Sequence, residues 1–556
     1  MVQFIMFSVI VAVVSALIIM PYVNKSRKDL NFSRSMIFLA AFAILLPCVF
    51  LFYYVTLHDR NFSSLWPLFI MVTFISAYIV SGAESMLKSG LFAVSVIIGV
   101  FVLAAPFFNA EEKYEQANMD VETEISAFDE TKTPASVPPQ YARNKMQKSF
   151  GQVPNTSYYQ LGDLQIQKVN GDYVYIAPVE FSGLFKWIKG KETPGYFRLS
   201  ATDSAANPVF IESPMTYTPS SFYNKDVHRH IWLKYPRHIF YGQAQLEVDE
   251  DGKPFYIQTY GDFISVRNGF SPMGIIMVDP TNGETKEVPL PEVPDFIDGA
   301  VSPESVSLRN SYYGKYVHGF WNSMFGKQDV KFPSNEGTED EVSPVFDENG
   351  VMYYFTDFTS PKEDVDSMLG YSLTNARTGK ATFYTGSQKN SYMDSLGALQ
   401  IIEKKFIEKE WMGEMPILYN FYGEASWLTP VLDTNGFLQN YFIVSAANPE
   451  ISAYAGTPNA ALKQYKIALQ RGGSSVNGSS KANQLQTAGS VIRVYKERTE
   501  SLTVVSFLLN GGKNFIVTSE TSPLSIYLKE GDSVIVNYLE TGEIFLPVTS
   551  LEIQGL

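Results

Sequence analysis

The sequence predicts an α-helical membrane domain of four transmembrane helices, an α+β repeat ectodomain with antiparallel sheets, and a small C-terminal β-barrel of OB or SH3 type. Three observations predict it. Four apolar runs fall within residues 1–108, a turn-and-strand pattern recurs through 149–469, and five short strands crowd 488–556.

The apolar runs cover residues 4–20, 36–55, 65–80 and 91–108. Each is near the roughly 20 residues that cross about 30 Å of hydrocarbon. A cleaved leader is the competing reading of the first run, but Met1-Val2-Gln3 carries no positive charge and no small-x-small site follows Met20. Lys25, Arg27, Lys28 and Arg34 follow the first run, and Lys88 lies between the third and fourth. Only His58, Asp59 and Arg60 join the second to the third, and Glu111, Glu112 and Glu115 follow the fourth. This bias places the first and third loops in the cytoplasm, and the N-terminus and the large domain outside it. Because a handful of charges carries the bias, a cytoplasmic domain is the competing topology. Pro47, Pro67 and Pro106 are kinks that neighbouring helices can satisfy, and the runs hold no acid, base or histidine to mark a transport path.

Composition narrows the function. Aromatic residues make up 14% and charged residues 18% of 556, a balance that favours sheets and spans over disordered tails. A net charge of −14 offers no positive field, so no nucleic acid is expected as partner. Cys48 is the single cysteine and lies inside an apolar run, which excludes intrachain disulfides and Cys-based zinc sites.

Residues 109–148 are polar, acidic and proline-containing, and read as a linker or stalk with short helical stretches. Beyond them a local pattern repeats. Asp249-Glu250-Asp251-Gly252 precedes an alternating strand, and Gly274-Ile275-Ile276-Met277-Val278 leads into Asp279-Pro280-Thr281-Asn282-Gly283-Glu284. The same order returns 96–98 residues later, as Asp347-Glu348-Asn349-Gly350 and then Gly370-Tyr371-Ser372-Leu373 before Asn375-Ala376-Arg377-Thr378-Gly379-Lys380. Both copies alternate as half-buried antiparallel strands do. A looser copy runs from Asn170-Gly171 to Gly195–Leu199, and a later one uses Asp433-Thr434-Asn435-Gly436 before Tyr441-Phe442-Ile443-Val444. Helices are expected at 303–324, 393–409 and 458–469. In the second, Leu396, Leu399, Ile402, Phe406 and Ile407 form one apolar stripe, giving helix-on-sheet units.

The segments at 278–284 and 375–380 resemble the end of a PepSY-type module, a small helix-plus-antiparallel-sheet domain of cell-envelope proteins. The resemblance covers about 300 residues as degenerate tandem copies, although Ala446-Ala447-Asn448-Pro449-Glu450 departs from the Thr-Gly turn in the fourth. It implies envelope interactions, including protease inhibition in some members, and brings no catalytic residues with it.

Residues 470–487 are rich in Gly, Ser, Asn and Gln and read as a flexible linker. In the barrel, Arg493, Lys496, Arg498, Lys513, Tyr495 and Phe515 offer a nucleic-acid groove. Glu497, Glu500, Glu530, Asp532, Glu540 and Glu543 oppose it, which favours a protein-contact or structural barrel.

Candidate chemistry is sparse. On a strand, His228 and His230 would share a face with His238 nearby, but two imidazoles without a fixed third ligand make a poor metal site. Asp249, Asp251 and Gly252 begin like a calcium loop, yet the twelfth position is Tyr260 rather than glutamate, which favours a hairpin. No Gly-x-Ser-x-Gly elbow, Walker loop or Gly-x-Gly-x-x-Gly turn occurs. Tyr312, Tyr313, Tyr316, Phe320 and Trp321 form the densest aromatic run, a partner surface if exposed and a helix packed on a sheet if buried. The expectation is a non-enzymatic, membrane-anchored envelope scaffold without catalytic residues, metal or cofactor, contacting the lipid bilayer, other envelope or membrane proteins, and further copies of itself. The alternatives are a regulator of an envelope protease or transporter, and a phage or mobile-element membrane protein of a multisubunit complex.

Overall fold

The computed structural model describes the chain except residues 23–33, 81, 124–136, 335–336, 339–341, 348, 363–366, 387–390, 472–482, 499–502, 520, 541–543 and 556. Lys25, Arg27, Lys28 and most of the Gly/Ser-rich linker thus lie outside the described residues. At the N-terminus stand α1 (Val2–Ile19), α2 (Arg34–Thr56), α3 (Trp66–Ile79) and α4 (Ala83–Phe108). Three of them, α1, α2 and α4, are long and apolar enough to cross a membrane. A fourth span is therefore not confirmed. The third run forms a helix of only 14 residues, about 21 Å at 1.5 Å per residue, because Pro67 fixes its first turn and Val80 is already extended.

Helix α4 also begins earlier than its apolar run, taking Glu84 and Lys88 into the bundle. Lys88 is buried. Its Nζ lies 3.4 Å from Glu84 and donates to the carbonyls of Ile18 at 3.2 Å and Met20 at 2.8 Å. Lys88 is therefore no loop cation: with Glu84 it caps the C-terminus of α1, where orphan carbonyls and the helix dipole favour positive charge.

Four helix-and-sheet units follow. The first has a helix at Pro139–Lys148 and strands Tyr159–Leu161, Gln165–Val169, Asp172–Phe181, Thr193–Ser200 and Val209–Met215. The second has Val227–Lys234, then Ile239–Phe240, Gln245–Val248, Pro254–Asp262, Ser271–Val278 and Thr285–Pro289. The third has Pro303–Lys315, then Phe332–Pro333, Ser343–Phe346, Met352–Thr359, Met368–Asn375 and Ala381–Tyr384. The fourth has Ser395–Lys405, then Met412–Gly413, Ile417–Phe421, Glu424–Leu432, Leu438–Ser445 and Ser452–Ala455. In every unit the first strand is broken in two, both pieces pair with the long second strand, and the remaining strands follow in antiparallel order. The helix Pro139–Lys148 of the first unit falls in the segment read as a stalk with short helical stretches, whereas Val227–Lys234 of the second is not legible in the sequence as a helix. The second carries His228 and His230, which are therefore helical and do not share a face.

The fourth repeat is also re-registered. Asp433–Gly436 turns between its second and third strands, while Tyr422-Gly423 occupies the hairpin that Asp249–Gly252 and Asp347–Gly350 occupy in the second and third units. In the Asp249, Asp347 and Asp433 turns the aspartate Oδ1 accepts amides two and four residues ahead, which accounts for these residues without a metal.

The units stack so that the helices of the second and fourth each lie between their own sheet and the preceding one. Val227 and Ile231 meet Ile176 and Tyr196 of the first sheet and Tyr256 and Ile276 of the second. Ala398 and Ile402 likewise join Phe355 and Tyr371 of the third sheet to Trp427 and Phe442 of the fourth. The C-terminal helix Pro458–Arg471 covers the far face of the fourth sheet through Leu462 and Tyr465. Long strands such as Glu424–Leu432 are consequently buried on both faces, not half-buried as alternation suggests.

Their polar residues carry a recurring link. Glu180, Thr259 and Asp357, on the long strands of the first three units, accept the backbone N–H of Ser220, Ser302 and Ser395 at 3.1, 3.0 and 2.9 Å. Ser302 and Ser395 sit at the start of the next unit's helix, so the buried acceptor satisfies a helix-terminal amide and fixes one unit on the next.

A glycine near the start of the third strand has a steric role in the first three units. At Gly195 (φ +152°) and Gly370 (φ +130°) an added Cβ would run into the neighbouring strand at Ile211 O and Phe383, and at Gly274 into Val288 O. Gly195→Val should cost about 2–3 kcal/mol or more, whereas Gly151→Ala, which meets open space, should be near neutral. Thermal melting of the detergent-solubilised chain checks this; equal midpoints for the two variants would refute the close approach.

Within 109–148 the structure has a helix at Ala110–Gln116 and a strand, Asp120–Glu122, that pairs in parallel with Ala381–Tyr384 at the edge of the third sheet. At the C-terminus, strands Asn483–Arg498, Thr503–Leu509, Asn514–Thr518, Ser533–Glu540 and Phe545–Ile553 close a small barrel in the order first, second, third, fifth, fourth. Its first strand starts inside the expected linker.

Candidate functional site

The aromatic run divides. The helix Pro303–Lys315 starts with Pro303 in its first turn and the Ser302 hydroxyl on the Ser305 N–H. Its Tyr312 and Tyr313, with Tyr316 just beyond, are buried against Phe358 and Phe383 of the third sheet and Ala117 of the stem. Burial pushes the Tyr313 phenol up to about 12, and those of Tyr312 and Tyr316 upward as well. The chain then turns at Gly319 (φ +76°) into a short helix that widens into a π-type turn. There Phe320 packs on Phe107 at the end of α4, with ring centroids 4.6 Å apart, and Trp321 points outward, 67% exposed.

The domain is seated on the bundle through its second unit. Trp232 is 4% exposed, packs edge-on against Phe4 of α1 at 4.9 Å, and donates from its indole N–H to the His58 carbonyl at 2.9 Å. The Arg60 guanidinium lies 4.1 Å over the indole and donates to the Trp232 carbonyl. Arg267 pairs with Asp59 at 3.0 Å, and Arg229 donates to the Tyr54 carbonyl at 3.2 Å. The 57–65 connection and the N-terminus of α1 are thus on the domain side of the bundle, and the C-terminus of α1 and Arg34 at the start of α2 are at the other end.

Two groups of buried acids have no counterpart in the sequence reading. In the first, Glu247 accepts the amides of Asp298 and Gly299 at 2.9 and 2.8 Å, and Asp298 accepts that of Lys168 at 2.7 Å. This joins the first unit to the second and to the segment leading into the third. Burial raises the Glu247 carboxyl to about 8 and that of Asp298 to about 6, outweighing the amides and Arg377. In the second, Glu180 borders a cavity of about 260 Å³ between the first two units. Burial raises its pKa, but Tyr256 at 2.7 Å and Ser220 use both its oxygens. An acid held in this way positions backbone and is not presented for proton transfer.

A further cavity of about 170 Å³ lies under the stem helix, lined by Gln116, Ile264, Phe270, Arg309, Tyr312 and Thr378. Arg309 donates to the Gly379 carbonyl, 2.5 Å away, so this wall is cationic. On the barrel, Tyr495, Leu524, Ile526 and Tyr527 are exposed, and Lys496 beside Tyr495 donates to the Ile526 carbonyl at 2.6 Å. Leu524, Ile526 and Tyr527 put three exposed apolar side chains in one short stretch, while Arg493, Lys496 and Arg498 are exposed on the first strand.

The histidines disperse. His228 Nε2 accepts the Ala244 amide at 3.1 Å, His230 Nε2 donates to the Gly283 carbonyl at 2.8 Å, and His238 lies 3.0 Å from Glu287. Burial lowers the pKa of the first two. Among the described residues no group of three or more His, Cys, Asp or Glu is placed to hold a metal ion.

No family model matches the chain, and no curated protein matches it. Among solved structures, it aligns with a protein described as a BT0996 RGII complex and with one described as a glycoside hydrolase, each at 9% identity over 68% of this chain and 94% of the other. The TM-scores are 0.17 and 0.18, too low for either to bear on fold or activity.

Proposed function

We propose that the chain is a non-enzymatic, membrane-anchored envelope scaffold whose units lie outside the cytoplasm and bind extended segments of other proteins along their sheet edges. One observation carries this reading: Asp120–Glu122 is such a segment, added in parallel register to the edge strand Ala381–Tyr384. Strand addition draws affinity from main-chain hydrogen bonds and therefore suits a repeated sheet without catalytic groups. The edge strands Val209–Met215 and Thr285–Pro289 of the first two units carry exposed residues and offer the same geometry. Four helix-plus-antiparallel-sheet units support the PepSY-type reading. The strand order of the barrel favours the OB alternative, with the exposed Tyr495 and Tyr527 as a second protein contact. Placement outside the cytoplasm draws on Arg34, at the bundle end opposite the domain, and on Lys25, Arg27 and Lys28 shortly before it in the sequence.

A photo-crosslinking residue at Val209, on the first sheet edge, should give a discrete protein adduct in intact cells, whereas the same residue at the exposed hairpin position Glu250 should not. Identical patterns at the two sites would sink strand addition. External protease on spheroplasts should remove a C-terminal tag, and a tag fully protected until lysis would reverse the sidedness.

A further inference from the structure

We propose that the turn Gly319–Gly326 is a second membrane anchor, a monotopic ledge that inserts Trp321, Met324 and Phe325 into the headgroup–acyl boundary beside the end of α4. The inference rests on the reading that α1, α2 and α4 lie in a bilayer. Three large apolar side chains project here from one short segment, exposed by 67%, 50% and 76%. The Trp321 and Phe325 rings stack at 6.0 Å, so they present one surface. A water-soluble domain seldom spends an indole, a thioether and a phenyl on such a projection unless the surface has an occupant.

Its position identifies that occupant. The apolar part of α4, residues 91–108, is about 27 Å long at 1.5 Å per residue, close to the roughly 30 Å of hydrocarbon, so its last turn ends at the interface. That turn holds Phe107, and Phe320 at the base of the ledge packs directly on it. The ledge is thereby fixed at the depth where tryptophan and phenylalanine are favoured in membrane proteins. Within the segment Lys315, Lys327 and Lys331 flank the turn with one acid, Asp329, while Glu111, Glu112 and Glu115 stand on the stem helix that packs beside it, so the apolar wedge and not net charge carries the inference. Lys327 is held there by its Nζ donating to the Ser323 carbonyl at 2.7 Å. Lysines beside an apolar wedge suit the phosphates of anionic lipids. A protein partner is the alternative occupant of an exposed aromatic surface, but a surface built against the emerging end of a spanning helix meets lipid first.

The test places an environment-sensitive NBD label at single cysteines in the full chain reconstituted in lipid nanodiscs containing a doxyl-lipid quencher. Native Cys48, exposed on α2, reports insertion of the bundle. Phe325→Cys, in a Cys48→Ala background, reports the ledge, and Asp203→Cys, an exposed position in the first unit, gives the aqueous baseline. Quenching at position 325 should exceed that at 203 severalfold and approach that at Cys48. Quenching at Cys48 with only baseline quenching at 325 would overturn the ledge and leave the membrane reading standing. Baseline values at all three would overturn both.

Discussion

Trp232→Ala should release the domain from the bundle and open Arg60 to trypsin. The indole fills the space between Phe4, Arg60 and the second unit, and its loss removes apolar burial and the N–H bond to His58 together. Truncating a buried tryptophan costs about 3–5 kcal/mol, and here the loss falls on one junction rather than on a module core. Arg60 would lose the ring it covers, and Arg229 and Arg267 would be left to hold the contact from either side. In detergent, limited trypsin should yield a new N-terminal fragment ending at residue 60 from the variant and not from the parent. Far-ultraviolet circular dichroism should remain near that of the parent, because each sheet keeps its own core. An unchanged digestion pattern would show that the junction does not depend on this side chain.

The second large effect is on pH. Glu247 and Asp298 have folded pKa values near 8 and 6, above the unfolded values of 4.5 and 3.8. The folded chain therefore keeps these protons while the unfolded chain gives them up. Their contribution to stability is fully present below about pH 4 and is lost as pH rises, for Glu247 until about pH 8. The slope is about 1.4 kcal/mol per pH unit for each proton retained, a loss of several kcal/mol across the window. Melting temperature should fall between pH 5 and pH 8, and Glu247→Gln, which cannot ionise, should flatten the fall even if it lowers the absolute value. Equal slopes for parent and variant would mean that Glu247 is ionised in the folded state.

How much of this is legible follows from what local sequence encodes. The apolar runs, the Asp-x-x-Gly hairpins and the five barrel strands are readable because each is set by neighbouring residues. The shortness of α3 is already in its run, since residues 65–80 are only 16 positions and the helix Trp66–Ile79 loses one at each end. Lys88 looks like a loop charge because nothing adjacent to it shows that α1 ends beside it. The Val227–Lys234 helix is disguised as a strand because eight residues with His at two-residue spacing mimic alternation. Glu247 and Asp298 are buried by neighbouring units, a fact of packing that no window of sequence contains. The aromatic run is legible as a cluster and divides only in the structure, where Gly319 sends Tyr312, Tyr313 and Tyr316 one way and Trp321 the other.

The parallel strand Asp120–Glu122 has a consequence for biogenesis. The Glu122 carbonyl meets the Thr385 amide across 263 positions of chain. At about 5–20 residues per second, that partner leaves the ribosome tens of seconds after the stem does. Throughout that interval the stem is an unpaired extended segment beside the membrane, while the first two units are already being made. The stem strand is therefore made before the first two units and can pair only after both of them have been translated.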